Sequence, residues 1–308
     1  VQHIEQGHVF DLEINVYYEQ EHASVRIVDT HTNIVQIEKN WQVIFEDKTT
    51  SLELKADHSA LIMKQIWDFS QTVDIDDVKE ILDRQITCNM AIANEGIHNS
   101  YGANIGHVIL NMDSDCVKTK AKAYAAAGSD ARMNGCELPV VINSGSGNQG
   151  ITCCVPVVVY AKELDCTQEQ LYRALVLSNL TAIYIKTGIG TLSAFCGAVS
   201  AGAAAGAGIA YLHNGTYKEI QHTIVNALAI LSGTICDGAK ASCAAKIASS
   251  IDAGIMGYYM YKNKQQFYAG DGIVAHSVDE TIQNIGTLGS QGMLQTNDKI
   301  IEMMISCD

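Results

Sequence analysis

The sequence predicts an α+β protein: a small antiparallel β-sheet with helices at the N-terminus, followed by a large all-helical domain. Three observations predict it. Apolar residues alternate with polar ones in the first fifty positions, the period of a half-buried strand. From about Ser59 the apolar spacing changes to that of a helix. Further on, Thr167–Gln170, Thr216–Glu219 and Ser277–Glu280 each carry the Ser/Thr-x-x-Glu/Gln spacing of a capping box ahead of an apolar run. The expected division is residues 1–60, the remainder of an α/β N-terminal domain, and 61–308, a helical domain that holds the chemistry.

Taken in order, Phe10, Leu12, Ile14 and Val16 alternate with Asp11, Glu13 and Asn15, and predict a strand over 8–18. Val25 and Ile27, Val35 and Ile37, and Val43 and Phe45 repeat the pattern, with Asp29-Thr-His-Thr-Asn33 as a turn. The first strand starts so early that the chain is expected to enter mid-domain. Leu61, Ile62, Ile66 and Phe69 form one helical face, and Asp74–Asp77 start a second helix carrying Val78, Ile81 and Leu82. A run from Ile151 to Ala161 reads as helix. After Thr216, Ile220, Ile224, Ala227, Leu228 and Leu231 share a face, and the helix stops at Gly233. No internal repeat or low-complexity linker interrupts the order.

Composition narrows the function classes. A 47% hydrophobic, 18% charged chain of 308 residues has material for a sizeable core, so wholesale disorder is excluded. With 20 Lys+Arg against 34 Asp+Glu, the formal charge of −14 argues against nucleic acid or an anionic membrane as partner. Thr191–Leu212 is uncharged and long enough to span a bilayer. It is mostly Ala, Gly and Ser, however, which gain little in lipid, and a helix apolar all round is the mark of a buried core helix. The expectation is a soluble, cytoplasmic protein. Its Gly/Ala-rich helices would suit packing into a homodimer.

Ten cysteines in such a chain read as metal or redox chemistry rather than a disulfide framework. Three of them sit among glycines and alanines: Cys196 in Phe195-Cys-Gly-Ala198, Cys236 in Gly233-Thr-Ile-Cys-Asp-Gly238, and Cys243 in Ala241-Ser-Cys243. They are candidate thiolate ligands of an iron–sulfur cluster, which electron carriers hold with four cysteines. Three ligands leave one iron open, as catalytic zinc sites keep an open position, and an open iron polarises a bound carboxylate, hydroxyl or thiol. Cys236 is expected between two helices, Cys243 two helical turns on and on the same face, and Cys196 at the start of the small-residue helix, where N–H groups stabilise negative charge. A free cysteine is by default a small buried hydrophobe. Cys88, Cys116, Cys136, Cys153, Cys154, Cys166 and Cys307 are read that way.

Asn143-Ser-Gly-Ser-Gly-Asn-Gln-Gly150 precedes a helix and offers hydroxyls, backbone N–H groups and a positive dipole end to a carboxylate or phosphate. It lacks the lysine of a Walker loop and the spacing of a dinucleotide fingerprint. Such a loop is otherwise an ordinary turn. Asp130 and Arg132 are two apart and do not face each other on a helix. Glu95 and His98 are acid–base candidates. Lys240, between two of the proposed ligands, is a candidate to neutralise a substrate carboxylate or to act as a base. Lys186 and Lys246 are read as solvated.

Asp130-Ala-Arg-Met133, Cys136-Glu-Leu-Pro139, the Asn143–Gly150 segment, Phe195-Cys-Gly197 and Ile235-Cys-Asp-Gly-Ala-Lys240 with Ser242-Cys243 come in a characteristic order. From about Asn89 to Met293 the chain resembles the L-cysteine desulfidase family, a relative of the iron–sulfur-dependent L-serine dehydratase alpha chain. The resemblance implies a lyase that needs no pyridoxal phosphate and eliminates hydrogen sulfide from L-cysteine, giving ammonia and pyruvate through aminoacrylate. It implies an oxygen-labile [4Fe-4S] cluster on Cys196, Cys236 and Cys243, whose fourth iron binds the substrate. Ser144, Gly145, Ser146 and Asn148 would hold the substrate carboxylate, and Lys240 and His98 are the candidate catalytic residues. The family's early Pro-Ala-Leu-Gly-Cys-Thr-Glu-Pro segment, whose cysteine is thought to serve in catalysis, has no counterpart among these residues. The alternatives are a deaminase of the L-serine dehydratase type, or a non-catalytic iron–sulfur or structural module.

Overall fold

The computed structural model describes residues 11–29, 33–47, 57–113 and 116–306. Phe10, most of the expected turn at 29–33, and Cys307 lie outside the described residues. The chain divides into two compact units, Val1–Asp57 and His58–Asp308.

In the first unit, strands β1 (Asp11–Tyr18), β2 (Glu21–Val28), β3 (Ile34–Lys39) and β4 (Gln42–Glu46) form an antiparallel sheet in that order. Leu12 opposes Ile27, Ile14 opposes Val25 and Val16 opposes Ala23, so the alternating apolar residues share one face. Their burial differs from expectation. Leu12, Ile14 and Val16 are 41%, 52% and 60% exposed, because β1 is an edge strand and, among the described residues of this unit, nothing packs over that face.

The second unit is helical: α1 (Met63–Thr72), α2 (Ile75–His98), α3 (Ile105–Met112), α4 (Val117–Met133), α5 (Gly147–Glu163), α6 (Gln168–Ile189), α7 (Gly197–Leu212), α8 (Tyr217–Ile230), α9 (Cys243–Lys262), α10 (Val278–Thr287), a π-helical turn (Leu288–Gly292) and α11 (Leu294–Ile305). The molecule is therefore α+β with a mostly helical body. All three capping boxes form, with Thr167, Thr216 and Ser277 as N-caps of α6, α8 and α10. Asp74 caps α2 by accepting from the Asp76 N–H.

Two helical faces are rotated from the expected ones. Helix α1 begins only at Met63 and buries Met63, Ile66 and Ser70, so Ile62 and Phe69 lie in solvent. Helix α2 buries Leu82 but not Ile81, and its inner stripe continues through Gln85 and Asn89. Those polar residues are satisfied inside: Gln85 exchanges amide hydrogen bonds with Asn179, and Asn89 pairs with both backbone groups of Val141.

Helix α7 is the axis of the unit and packs against α5, α6, α8 and α9. Every residue from Ala198 to Ala210 is buried, which explains why it is apolar all round. Its glycines meet α9 backbone to backbone: a Cβ on Gly254 would sit 2.3 Å from the Gly202 carbonyl oxygen, and one on Gly202 would sit 2.4 Å from that of Ser250. No helix among the described residues is long and apolar enough to cross a membrane.

Candidate functional site

The site is assembled by a short antiparallel contact between the segments that precede α7 and α9. Phe195 pairs with Ile235; the Cys196 N–H donates to the Thr234 carbonyl at 3.1 Å and the Cys236 N–H to the Ala194 carbonyl at 2.6 Å. This lays Cys196 beside Cys236, although 40 residues separate them by subtraction of their numbers. Interaction between the two thiols pushes Cys196 well up and draws Cys236 down to about 6. The Gly238 N–H, Lys246 and Lys186 also favour the Cys236 thiolate.

Cys243 is linked to Cys236 differently from the expectation. The segment from Cys236 to Ser242 is irregular rather than helical, so the two cysteines do not share a helical face. They meet at Gly238 instead, whose N–H serves Cys236 and whose carbonyl accepts from the Cys243 thiol at 3.6 Å. Gly238 holds a positive φ of 94°, a conformation that costs glycine nothing. Cys196 is the N-cap of α7 and Cys243 the first residue of α9. Helix α5, which packs on both, starts at Gly147. Two of the three cysteines thus stand at positive helix ends, which favours thiolates and bound anions.

The Ser/Gly/Asn segment supplies the third side. Ser144 and Gly145 both take positive φ, 49° and 77°, closing a tight turn in which Asn143 and Ser146 exchange backbone hydrogen bonds. Buried Asn143 anchors the turn to Asn179 through its side-chain N–H groups. The first half of the segment is this turn; the second half, from Gly147, is already α5. Ser146 caps α5 by accepting from the Gln149 N–H, so its hydroxyl is committed to structure. Ser144 lines a cavity of about 270 Å³ with Lys186, His58, Thr187, Gly190 and Thr191. Asn148 accepts from Arg132 at 3.3 Å.

Two of the cations are placed otherwise than their reading as solvated side chains. Lys186 is only 8% exposed. Its ammonium donates to the Gly190 carbonyl at 2.6 Å; burial lowers its pKa and the charges of Cys236 and Cys196 oppose that. Lys246 donates to the Ile235 carbonyl at 2.7 Å and pairs with Asp237. Lys240 is also held by Asp237, through its carboxylate and its carbonyl, and the two lysines hold the Asp237 carboxylate at about 2. The structure therefore ties up Lys240 rather than presenting it as a free base. His98 ends α2, exposed, with Nδ1 against the Asn94 carbonyl at 2.7 Å, and is not brought to the cysteines by any of these contacts.

Arg132 and Gln149 have no place among the sequence-derived candidates. The Arg132 guanidinium lies over Gly147, half-buried, its pKa lowered by burial and supported by the nearby Cys243. The Gln149 amide lies against Gly197, the residue after Cys196. The signal that could have found Arg132 is its position in α4: the i, i+2 spacing that turns it away from Asp130 turns it towards α5. Asp130 is buried elsewhere, accepting from the Gly106 N–H at the start of α3.

The donor set suits an iron–sulfur cluster. One cysteine is already favoured as thiolate, lysines stand close by, and the other two cysteines sit at helix N-termini. Among the described residues no three Cys, His, Asp or Glu side chains converge as a single metal ion requires; a cluster instead distributes its thiolates over separate irons. All nine described cysteines are free. Cys153 and Cys154 are fully buried with thiols pushed up by burial, Cys153 to about 12, in keeping with a packing role.

No solved structure matches the chain. It is 55% identical to a UPF0597 protein of Desulfitobacterium hafniense, over 97% of this chain and 70% of the relative. UPF0597 proteins of Lachnoclostridium phytofermentans and Finegoldia magna are 51% and 49% identical, over 92% and 96% of this chain and 68% and 71% of their own lengths. The sequence signature described as "Serine dehydratase alpha chain" spans residues 14–302 and so takes in every element of the site. The chain belongs to the serine dehydratase alpha chain family.

Proposed function

We propose that the protein is an iron–sulfur-dependent lyase that carries out β-elimination on L-cysteine, releasing hydrogen sulfide, ammonia and pyruvate. The observation that carries this reading is the Ala194–Cys196/Thr234–Cys236 backbone contact, which lays two distant cysteines side by side in the segments that lead into α7 and α9. Cys196, Cys236 and Cys243 would hold a [4Fe-4S] cluster. When bound, it supplies a Lewis-acidic iron that makes the leaving group better.

The chain's own residues do the rest. Arg132, Asn148 and the Ser144 hydroxyl hold the carboxylate, with the positive end of α5 behind them. Ser146 and Gly145 keep that turn in shape. Lys186 and Lys246 compensate negative charge around the sulfurs. Lys240, held by Asp237, adds to this rather than taking the α-proton.

The family's description favours L-serine as a second substrate reading. Anaerobic turnover of the iron- and sulfide-reconstituted chain separates the two. Sulfide and pyruvate released in equal amounts from L-cysteine, well above pyruvate from L-serine, supports the desulfidase reading. Pyruvate from L-serine alone would replace it with the deaminase, and neither product would contradict a lyase.

A further inference from the structure

The carboxylate has a cation waiting for it; the amino group of the substrate needs an acceptor. Gln149 is 6% exposed, and its side-chain Oε1 is buried with no hydrogen-bond partner. A buried carbonyl oxygen is normally paired, so an orphan asks for a donor that arrives from outside. Its location is specific. A Cβ on Gly197 would lie 2.6 Å from Gln149 Cδ and 2.8 Å from Oε1, so the amide fills the space that Gly197 leaves open beside Cys196. The backbone of Gln149 is fixed by the Ser146 cap. On the other flank, Arg132 sits over Gly147, donates to Asn148 and is attracted to Cys243. An uncharged acceptor beside one cysteine and a cation beside another match the two charged groups that an α-amino acid carries on one carbon.

We propose that Gln149 Oε1 accepts a hydrogen bond from the α-ammonium of the substrate while Arg132 faces its carboxylate, so that Gln149 restricts the site to α-amino acids. Acids with the same carboxylate and thiol but no ammonium leave Oε1 unpaired and bind more weakly. A carboxamide serves better here than a carboxylate, because a second negative charge would oppose the thiolates. The inference rests on the proposed function and deepens it.

The test uses the full chain, reconstituted anaerobically with iron and sulfide. L-cysteine and 3-mercaptopropionate are titrated while the visible absorption of the bound iron is followed. The wild type should prefer L-cysteine. In Gln149→Leu that preference should shrink by about ten- to a hundredfold, through lost L-cysteine affinity alone, the scale of one unmade hydrogen bond to a charged group. Gln149→Glu, which keeps an acceptor, should retain the preference, and it carries the test if Gln149→Leu does not fold. Equal wild-type binding of the two ligands, or an unchanged preference in Gln149→Leu, overturns the assignment while leaving the iron site standing. A chain that takes up no iron overturns the lyase reading and this inference with it.

Discussion

Three kinds of neighbour favour the Cys236 thiolate: the Cys196 thiol, the backbone N–H of Gly238, and the charges of Lys246 and Lys186. Nothing in the residue itself announces this, since the partners come from α6, the start of α7 and α9. Lys186 shows the same limit. A lysine late in a helix reads as a solvated C-terminal charge, yet here it folds back on the Gly190 carbonyl and is buried. The Ser/Gly/Asn segment was more legible, because a Ser at an N-cap and glycine at positive φ are local events. Its two serines should separate on substitution. Ser146→Ala removes a cap and should cost about 1 kcal/mol of stability, seen as a lower urea midpoint. Ser144→Ala should leave stability unchanged to within about 0.5 kcal/mol and raise the KM for the amino acid. Equal effects of both on KM and on stability would show that Ser144 does not face substrate.

At the scale of elements, capping boxes gave the starts of α6, α8 and α10 from four-residue windows, and all three are formed. Amphipathic faces are less legible in the sequence. Helix α2 turns Gln85 and Asn89 inward, and only their partners, Asn179 on α6 and the Val141 backbone, make that favourable. The contact of α7 with α9 runs through bare backbone at Gly202 and Gly254. Gly254→Ala should therefore destabilise by at least about 1–3 kcal/mol, the range for overpacked cores, measured by denaturant unfolding; an unchanged midpoint would mean that the helices have room to part. A second link joins α4 to α9: Asp252 lies 3.0 Å from Lys122 and 3.1 Å from Lys118. Burial alone would raise its pKa, but the two lysines outweigh it and hold it below the ordinary 3.8. A depressed folded value means stability that is present above the unfolded pKa and lost as pH falls through the folded one. Asp252→Asn should thus lower stability at neutral pH and abolish part of the loss seen below about pH 4. A variant that keeps the full wild-type acid sensitivity contradicts this role.

For the whole molecule, the α+β class and the change of period near Ser59 were plain from the sequence. The assembly of the site was not, because it depends on which segments pair across the body. Three short stretches at 143–149, 194–197 and 235–243 carry small or polar residues with no periodicity, and only the packing of α5, α7 and α9 brings them to one place. That convergence explains why family motifs so far apart belong to one site. It also separates the cysteines by role. Cys196 and Cys243 stand at the N-terminal ends of α7 and α9, and Cys236 lies in the irregular segment before α9 with Lys246 and Lys186 favouring its thiolate, whereas Cys153 and Cys154 lie inside α5 with no charge to favour a thiolate. The most direct measurement is iron bound per chain after anaerobic reconstitution, compared among the wild type, Cys196→Ala, Cys236→Ala, Cys243→Ala and the buried control Cys153→Ala. The account predicts about four irons for the wild type and the control and a severe loss in each of the other three. Iron content unchanged by all three substitutions would contradict it.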